Sequence, residues 1–257
     1  MQSFIYKLLN YLNGSIKQDT NYHIARTLLY HIKEIENYSL EEMAQVCLVS
    51  DSTLHRFFQL IGYKNFKTLR LSLQNQEEQY YPTINNQHEK GDYLIKMNEN
   101  MEMIEQVELS SLDRMIQSMW KAKQIYLLGY GDFQYPALYF QKQLFSHEIL
   151  SEVVAVGEIS QDWLKRIDQD SLIIVTSLRG SFLHLHDDVN NQQTLAMLPA
   201  KKILITQSQN EDWERVFDSI LYCGKYNENG LGKYAIMRIY ERIIFRLHET
   251  SGVHVYE

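Results

Sequence analysis

The 257-residue sequence predicts a two-domain protein, in which an all-α head precedes an α/β domain built on a five-stranded parallel, doubly wound sheet flanked by helices. Three observations predict this. Only two of the 11 glycines and none of the three prolines fall in the first 80 residues, which favours helices there. Residues 77–92 are polar and show no apolar period. Beyond them, short apolar runs alternate with helical patterns, as in doubly wound folds.

Composition and charge narrow the classes of protein that fit. With 45% hydrophobic residues and only two cysteines, the chain is neither disordered nor a disulfide scaffold. The net charge of -7 is uneven: residues 1–75 carry +2, whereas residues 76–121 carry -5 and residues 122–257 carry -4. An acidic whole therefore does not exclude a polyanionic partner for the head.

The head is predicted over residues 1–76, with a linker at 77–92. Apolar periodicity places its helices at 3–12, 21–35, 40–47, 51–61 and 65–76. Ser39-Leu-Glu-Glu42 has the capping-box pattern, which predicts the start of the third helix.

The second domain is predicted over residues 93–257. A helical stretch at 93–121, interrupted near 109–111, precedes the sheet. Strands are expected at 124–128, 152–156, 171–176, 201–206 and 219–222, and further helices at 135–147, 159–166, 187–197, 211–217 and 232–250. Five short buried runs separated by helices are typical of a parallel sheet.

Residues 39–66 have the order helix, tight turn, helix, loop, helix, which is typical of a helix-turn-helix motif. Ala44 is small where a second helix must cross closely, and Ser50 can cap the helix that follows the turn. The helical spacing of that helix turns four side chains toward the core: Leu54, Phe57, Phe58 and Ile61. Four polar side chains then face outward and suit a DNA major groove: Ser52, His55, Arg56 and Gln59.

Cationic residues follow the second helix of this motif. Lys64, Lys67 and Arg70 give residues 50–75 a net charge of +3 and are candidate phosphate contacts. On pattern alone, DNA binding and an ordinary helical bundle fit the head about equally well.

A resemblance favours DNA binding. Val49-Ser50-x-x-Thr53-x-x-Arg56-Phe57, followed by Leu60-Ile-Gly62-Tyr63-x-x-Phe66, resembles the signature of the RpiR/MurR family of bacterial transcription regulators. In that family, a helix-turn-helix domain precedes a sugar isomerase (SIS) domain that binds phosphosugars. The resemblance places Ser52, Thr53, His55 and Arg56 at or near DNA, and His55 stands where the family often has an aliphatic residue. The predicted DNA-binding set is Ser50, Ser52, Thr53, His55, Arg56, Gln59, Lys64, Lys67 and Arg70.

The second domain resembles an SIS domain over residues 108–245. Two loops fall at the carboxyl ends of predicted strands, where doubly wound folds bind ligands: the first loop, residues 128–133, and the second loop, residues 176–182. Gly129 and Gly131 match the family's Gly-x-Gly-x-Ser loop, while Ser177 and Gly180 match its Ser-x-Ser-Gly-x-Thr/Ser loop. The predicted ligand-binding set is Gly129, Gly131, Asp132, Ser177, Arg179, Gly180 and Ser181.

Both loops depart from the family pattern. Phe133 stands where the first loop has a phosphate-binding hydroxyl, Arg179 replaces the second serine of the second loop, and Phe182 replaces its last hydroxyl unless Ser181 substitutes. Three interpretations stay open: an altered anion site that uses Arg179, a site for an uncharged ligand, and a vestigial pocket in a dimerisation domain.

No cofactor or metal is predicted. The lone Gly-x-Gly lacks the third glycine of a dinucleotide fingerprint, and His184-Leu-His186 is interpreted as part of a solvated loop. Cys47 and Cys223 are expected to be buried free thiols. No apolar run is long enough for a membrane helix, so a cytoplasmic location is expected.

The function predicted from the sequence is a transcription regulator of carbohydrate metabolism. Its expected partners are a double-stranded DNA operator, a sugar phosphate effector and further copies of itself, as a homodimer or a higher homo-oligomer. The alternative is a sugar-phosphate isomerase or another phosphosugar-binding enzyme, which would need a positioned general base. Glu158 and His147 are the candidates for that base.

Overall fold

A computed structural model describes residues 2–74, 87–129, 133–155, 159, 161–180, 182–186, 189–225 and 232–251, and the statements below concern these residues. The chain divides into two compact units, residues 1–79 and residues 80–257. None of the helices in the described ranges is long and apolar enough to cross a membrane.

The first unit, the head, is helical, as the sequence predicts. Its helices are α1 (Gln2–Gly14), α2 (Thr20–Tyr30), α3 (Leu40–Val46), α4 (Asp51–Leu60) and α5 (Phe66–Gln74), with a short 3-10 turn at Ile35–Asn37. One core joins them, and edge-on aromatic contacts run through it, such as Phe4 with Phe58 at 6.3 Å between ring centroids.

The helix predicted at 21–35 ends five residues early. The chain turns after Tyr30, and the backbone N–H groups of Glu34 and Ile35 both donate to the carbonyl of His31. Ile35 nevertheless reaches the core, because the turn places it there. The apolar spacing therefore continues past the end of the helix, because Ile35 is buried although it lies beyond α2.

The second unit contains helices α6 to α11 and strands β1 to β7. The helices are α6 (Gln87–Glu105), α7 (Leu109–Lys121), α8 (Gln134–Ser146), α9 (Gln161–Leu164), α10 (Asn191–Ala196) and α11 (Gly232–Ser251). The strands are β1 (Gln124–Gly129), β2 (Ser151–Ala155), β3 (Ser171–Thr176), β4 (His184–His186), β5 (Val189–Asn190), β6 (Lys201–Thr206) and β7 (Ser219–Tyr222).

Five strands form one parallel sheet in the order β2-β1-β3-β6-β7, which confirms the predicted fold class. All six residues of the central strand β3 are buried, as expected for a strand covered on both faces. One face packs against α7, α8 and α11. The other face packs against side chains that include Trp163, Phe182 and Trp213.

The structure corrects several predicted elements. The segment interpreted as a solvated loop at His184–His186 is a strand that pairs antiparallel with β5, and α10 begins at Asn191 rather than at residue 187. The side chain of Asn191, 1% exposed, donates to the carbonyl of Phe182 at 2.7 Å. That contact holds the start of α10, and a local pattern does not reveal it.

Smaller differences concern the connections. Helix α6 begins at Gln87, inside the interval predicted as linker, and the break before α7 lies at 106–108 rather than at 109–111. The segment 211–215 is a 3-10 helix, and α9 covers only four residues.

Candidate DNA-binding surface and ligand loops

The turn between α3 and α4 is a Schellman motif. Leu48 adopts the left-handed conformation, with φ at 55°. Its N–H donates to the carbonyl of Gln45, and the N–H of Val49 donates to that of Ala44, both at 3.0 Å. Ala44 is 1% exposed. The motif therefore ends α3 sharply and redirects the chain into α4, which is the geometry of a helix-turn-helix.

Hydroxyl groups organise the start of α4. The Ser50 hydroxyl accepts from the N–H of Thr53 at 3.3 Å and so caps the helix, as predicted. It also lies 3.0 Å from the hydroxyl of Ser52 and 2.9 Å from that of Thr53. Three hydroxyls thus meet at the amino-terminal end of α4.

Helix α4 has the two faces that its spacing predicts. Leu54, Phe57 and Phe58 are buried, and Ile61 packs against the same core. On the opposite face Ser52, Arg56 and Gln59 are exposed and His55 is half-buried. The Nε of Arg56 donates to the carbonyl of Ser52 at 3.3 Å, which lays the guanidinium along the helix toward the three hydroxyls.

A second Schellman motif ends α4. Gly62 supplies the left-handed residue with φ at 86°, and the N–H of Tyr63 donates to the carbonyl of Phe58 at 2.8 Å. Lys64 and Lys67 follow as exposed residues on either side of the start of α5. The predicted phosphate contacts at these two positions are therefore accessible.

Arg70 has different surroundings from the two lysines. It is half-buried, its Nη1 donates to the backbone carbonyl of Tyr38, and its guanidinium lies 5.9 Å from the ring centre of Phe66. Arg70 therefore ties α5 to the segment before α3. The sequence does not indicate this structural role, because Arg70 and Tyr38 are 32 positions apart.

In the second unit, Phe133 closes the first loop. Its side chain is 2% exposed, and a Cβ on Gly129 would overlap its ring. Phe133 is also the N-cap residue of α8, and its side chain makes no capping hydrogen bond. The predicted site residues Gly131 and Asp132 lie outside the described residues. The position that carries a hydroxyl in the family is thus part of the apolar core.

Two hydrogen bonds lie within the second loop. The Ser177 hydroxyl accepts from the N–H of Phe182 at 3.2 Å, and the N–H of Gly180 donates to the carbonyl of Ser177 at 3.3 Å. The ring of Phe182 is buried. Arg179 is exposed at this edge of the sheet, whereas the predicted residue Ser181 lies outside the described residues.

Trp213 fixes the second loop from the opposite side. Gly180 has φ at 82°, and a Cβ there would lie 2.6 Å from a ring carbon of Trp213. Glycine is therefore required both by the backbone conformation and by the neighbouring ring. No local pattern in the sequence indicates this contact, because Trp213 lies far along the chain from Gly180.

A buried polar contact joins the sheet to α11. The hydroxyls of Thr176 and Tyr240 lie 2.8 Å apart, and the ring of Tyr240 stacks on Phe140 with centroids 4.2 Å apart. Burial raises the pKa of Tyr240, with the hydrogen bond to Thr176 acting in the opposite direction. Tyr240 therefore stays protonated and can donate to Thr176.

Of the two candidate general bases, the structure describes His147. His147 is the C-cap residue of α8, just before β2 begins, so it lies at the amino edge of the parallel sheet. Burial and the adjacent His248 lower the pKa of His147. Glu158 lies outside the described residues. Among the described residues, no group of three or more His, Cys, Asp or Glu side chains could hold a metal ion.

A helix-turn-helix head joined to a doubly wound domain is typical of a DNA-binding regulator. The model of the rpiR-family helix-turn-helix domain matches residues 8–79, and that of the SIS domain matches residues 118–245. The chain belongs to the RpiR family of transcription regulators.

Known relatives agree with this assignment. An uncharacterized helix-turn-helix transcriptional regulator from the aarA 3' region of Providencia stuartii is 22% identical over 241 residues, covering 86% of this chain and 80% of that protein. Among solved structures, the Vibrio vulnificus NanR protein complexed with ManNAc-6P has a TM-score of 0.51 at 14% identity, covering 96% of this chain and 92% of that one.

A third similar protein matches part of the chain. The c3406 protein of Escherichia coli CFT073 has a TM-score of 0.53 at 14% identity, covering 65% of this chain and 92% of that chain. At these identities the two solved structures support the fold.

Proposed function

We propose that the protein regulates genes of carbohydrate metabolism by binding an operator through paired heads, and that a sugar phosphate or related ligand at the carboxyl edge of its sheet modulates this binding. One observation above all supports the proposal: α4 presents an exposed polar face on a head whose family is established. The protein acts in the cytoplasm on double-stranded DNA.

The side chains on the outer face of α4 are suited to direct readout of DNA. Arg56 can donate two hydrogen bonds to a guanine edge, Gln59 can do so to adenine, and the hydroxyls at the start of the helix suit phosphate or base contacts. Lys64 and Lys67 supply phosphate contacts that fix register. A head with only +2 over residues 1–75 needs a second head for tight binding, which favours a homodimer or higher oligomer.

A gel-shift titration tests this assignment. The full chain is first used to select genomic DNA fragments at low salt. The selected fragment is then titrated with Arg56→Ala and with the control variant Lys17→Ala, which removes an exposed cation outside the motif. Loss of one base-reading side chain is worth about 1–3 kcal/mol, or about 5- to 150-fold in affinity. Equal affinities for Arg56→Ala and wild type would refute the role of α4.

At the ligand loops, Arg179 takes the role that hydroxyls have in the family. Phe133 and Phe182 fill the places of two hydroxyls, and the Ser177 hydroxyl accepts from its own loop. A guanidinium can bind an anionic oxygen pair through two parallel hydrogen bonds. We therefore place the anionic group of the ligand against Arg179, which selects the altered anion site among the three interpretations.

Thermal shift with phosphorylated and free sugars tests the ligand class. A ligand at 100 times its dissociation constant stabilises a protein by about 2.7 kcal/mol. Phosphosugars should stabilise wild type and Arg114→Met, an exposed arginine on α7, but not Arg179→Met. Stabilisation by free sugars only would favour an uncharged ligand, and no stabilisation by any sugar would favour a vestigial pocket.

The proposal includes no catalysis. Isomerisation requires a base beside the substrate carbons, and His147 lies at the opposite edge of the sheet from the loops. Incubation of the pure protein with pentose and hexose phosphates should give no product, and any turnover would favour the enzyme alternative.

A further inference from the structure

We propose that a chain of hydrogen bonds couples the second loop to α6, with Gln207 and Asn100 as its coupling residues. The inference rests on the proposed role of the second loop as a ligand site. Helix α6 is the first helix of the second unit, so it follows directly on the residues that join the two units.

The first step joins the second loop to the end of β6. The carbonyl of Leu178, the residue before Arg179, accepts from three groups: the Gln207 N–H at 3.1 Å, the Thr206 hydroxyl at 3.2 Å and the Ser208 hydroxyl at 3.0 Å. Any displacement of the loop that moves this carbonyl therefore acts directly on residues 206–208.

The second step runs from β6 to the end of β7. The side-chain amide of Gln207 donates to the carbonyl of Cys223 at 2.9 Å, and the N–H of Cys223 donates to the carbonyl of Thr206 at 2.9 Å. Two opposed hydrogen bonds thus hold the residues that follow β7 to those that follow β6.

The third step reaches α6. The Lys225 N–H donates to the Oδ1 of Asn100 at 2.7 Å, and Asn100 is 4% exposed. Gly224 has φ at 87°, and a Cβ on it would lie 2.5 Å from the same oxygen. Only glycine allows the loop to approach α6 this closely, so the contact between Lys225 and Asn100 depends on Gly224.

The carboxyl-terminal end of α6 is fixed by α11. The guanidinium of Arg242 donates to the carbonyls of Ile104 and Val107, and the Nε of Arg238 lies 2.5 Å from an oxygen of Glu105. If α6 rotates as a rigid helix about Glu105, the displacement of each residue grows with its distance from Glu105. At 1.5 Å per residue, Asn100 lies about 7.5 Å from Glu105 and Gln87 about 27 Å. A shift of about 1 Å at Asn100 would therefore move the start of α6 by about 3–4 Å.

Hydrogen exchange of the full chain, without DNA or ligand, tests the coupling. Ser177→Ala removes the acceptor of the Phe182 N–H and so loosens the second loop. Ser171→Ala is the matched control, because Ser171 is an equally buried serine at the opposite end of β3. Ser177→Ala should speed exchange at 204–208, at 223–225 and at 96–105 by about 5-fold or more, whereas Ser171→Ala should leave residues 96–105 unchanged.

The decisive comparison places Ser177→Ala in the Asn100→Ala and Gln207→Ala backgrounds. In both, the effect of Ser177→Ala on 96–105 should disappear while its effect on 204–208 remains. Asn100→Asp keeps an acceptor oxygen, so in that background Ser177→Ala should again speed exchange at 96–105. The coupling is overturned if Ser177→Ala still speeds exchange at 96–105 in Asn100→Ala or, should that variant not fold, in Gln207→Ala. It is also overturned if Ser171→Ala speeds exchange at 96–105 as Ser177→Ala does. Neither result bears on whether the protein binds DNA or a sugar.

Discussion

The ring of Phe133 occupies the space in which a side chain on Gly129 would lie. In the family pattern these two positions belong to a phosphate-binding loop. Here the ring is buried in the core that covers one face of the sheet. Phe133 therefore belongs to the core, and its ring requires glycine at position 129.

The Gly129 and Phe133 positions should be energetically coupled. Gly129→Ala forces an overlap and should cost about 1–3 kcal/mol, and Phe133→Ala should cost about 3–5 kcal/mol through a cavity. The double variant should lose less than the sum of the two, because the shortened side chain leaves room for the new methyl group. Urea unfolding followed by tryptophan fluorescence measures this, since all three tryptophans lie in the second unit. Additive losses would contradict the packing described.

The sheet could be predicted closely from the sequence. Strands β3, β6 and β7 have the predicted ends because each is a short apolar run bounded by polar residues. The hairpin of β4 and β5 could not be predicted. Its strands are short and polar, and it is held beside α10, whose start depends on Asn191.

The candidate sites were predictable to different degrees. The outer face of α4 follows from helical spacing alone, because the core side chains fix the orientation of the helix. The role of Arg70 and the contact of Trp213 with Gly180 join residues 32 or more positions apart, and neither has a signal in the local pattern.

The free energy of unfolding of the second unit should depend on pH, because arginines on α11 pair with carboxylates on other helices. Arg246 donates two hydrogen bonds to Asp113, at 2.7 and 3.0 Å, and holds the pKa of that carboxyl below its usual range. A carboxyl with a lowered pKa stabilises the folded state above its unfolded pKa, about 3.9, and loses this effect as the pH falls through the folded pKa. Glu105, whose pKa Arg238 lowers, acts in the same direction.

Asp113→Asn should therefore reduce the difference in urea midpoint between pH 7 and pH 3. Asp212→Asn is the control, because its pair with Arg215 is 64% and 84% exposed, against 34% and 25% for Asp113 and Arg246. Equal pH dependence in Asp113→Asn and wild type would show that the pair does not contribute.

Replacing Leu48 by glycine should stabilise the head. The left-handed conformation costs a residue with a Cβ about 1–2 kcal/mol, and glycine avoids this at some entropic cost, so the net gain is up to about 1 kcal/mol. The Leu48 side chain is 92% exposed, so little burial is lost. Slower hydrogen exchange over residues 40–60 is expected for Leu48→Gly. Leu48→Ala, which keeps the Cβ, should show no such gain.

Both thiols should be unreactive in the folded protein. Burial raises the pKa of Cys47 to about 11 and that of Cys223 to about 12, so the thiolate is scarce at neutral pH. An aromatic disulfide reagent at pH 8 should label neither residue until denaturant is added. Rapid labelling of the native chain would contradict the burial of the labelled residue.

Lys67 and Arg70 should separate DNA contact from structural support. Lys67 is exposed beside the start of α5, so Lys67→Met should lower the slope of log affinity against log salt by about 0.9, the loss of one phosphate contact. Arg70→Met removes the donor to the Tyr38 carbonyl and should speed hydrogen exchange at 35–40 and 66–74. Lys67→Met should leave exchange there unchanged. If Arg70→Met changed the salt slope as Lys67→Met does and left exchange unaltered, Arg70 would be a phosphate contact and its bond to Tyr38 dispensable.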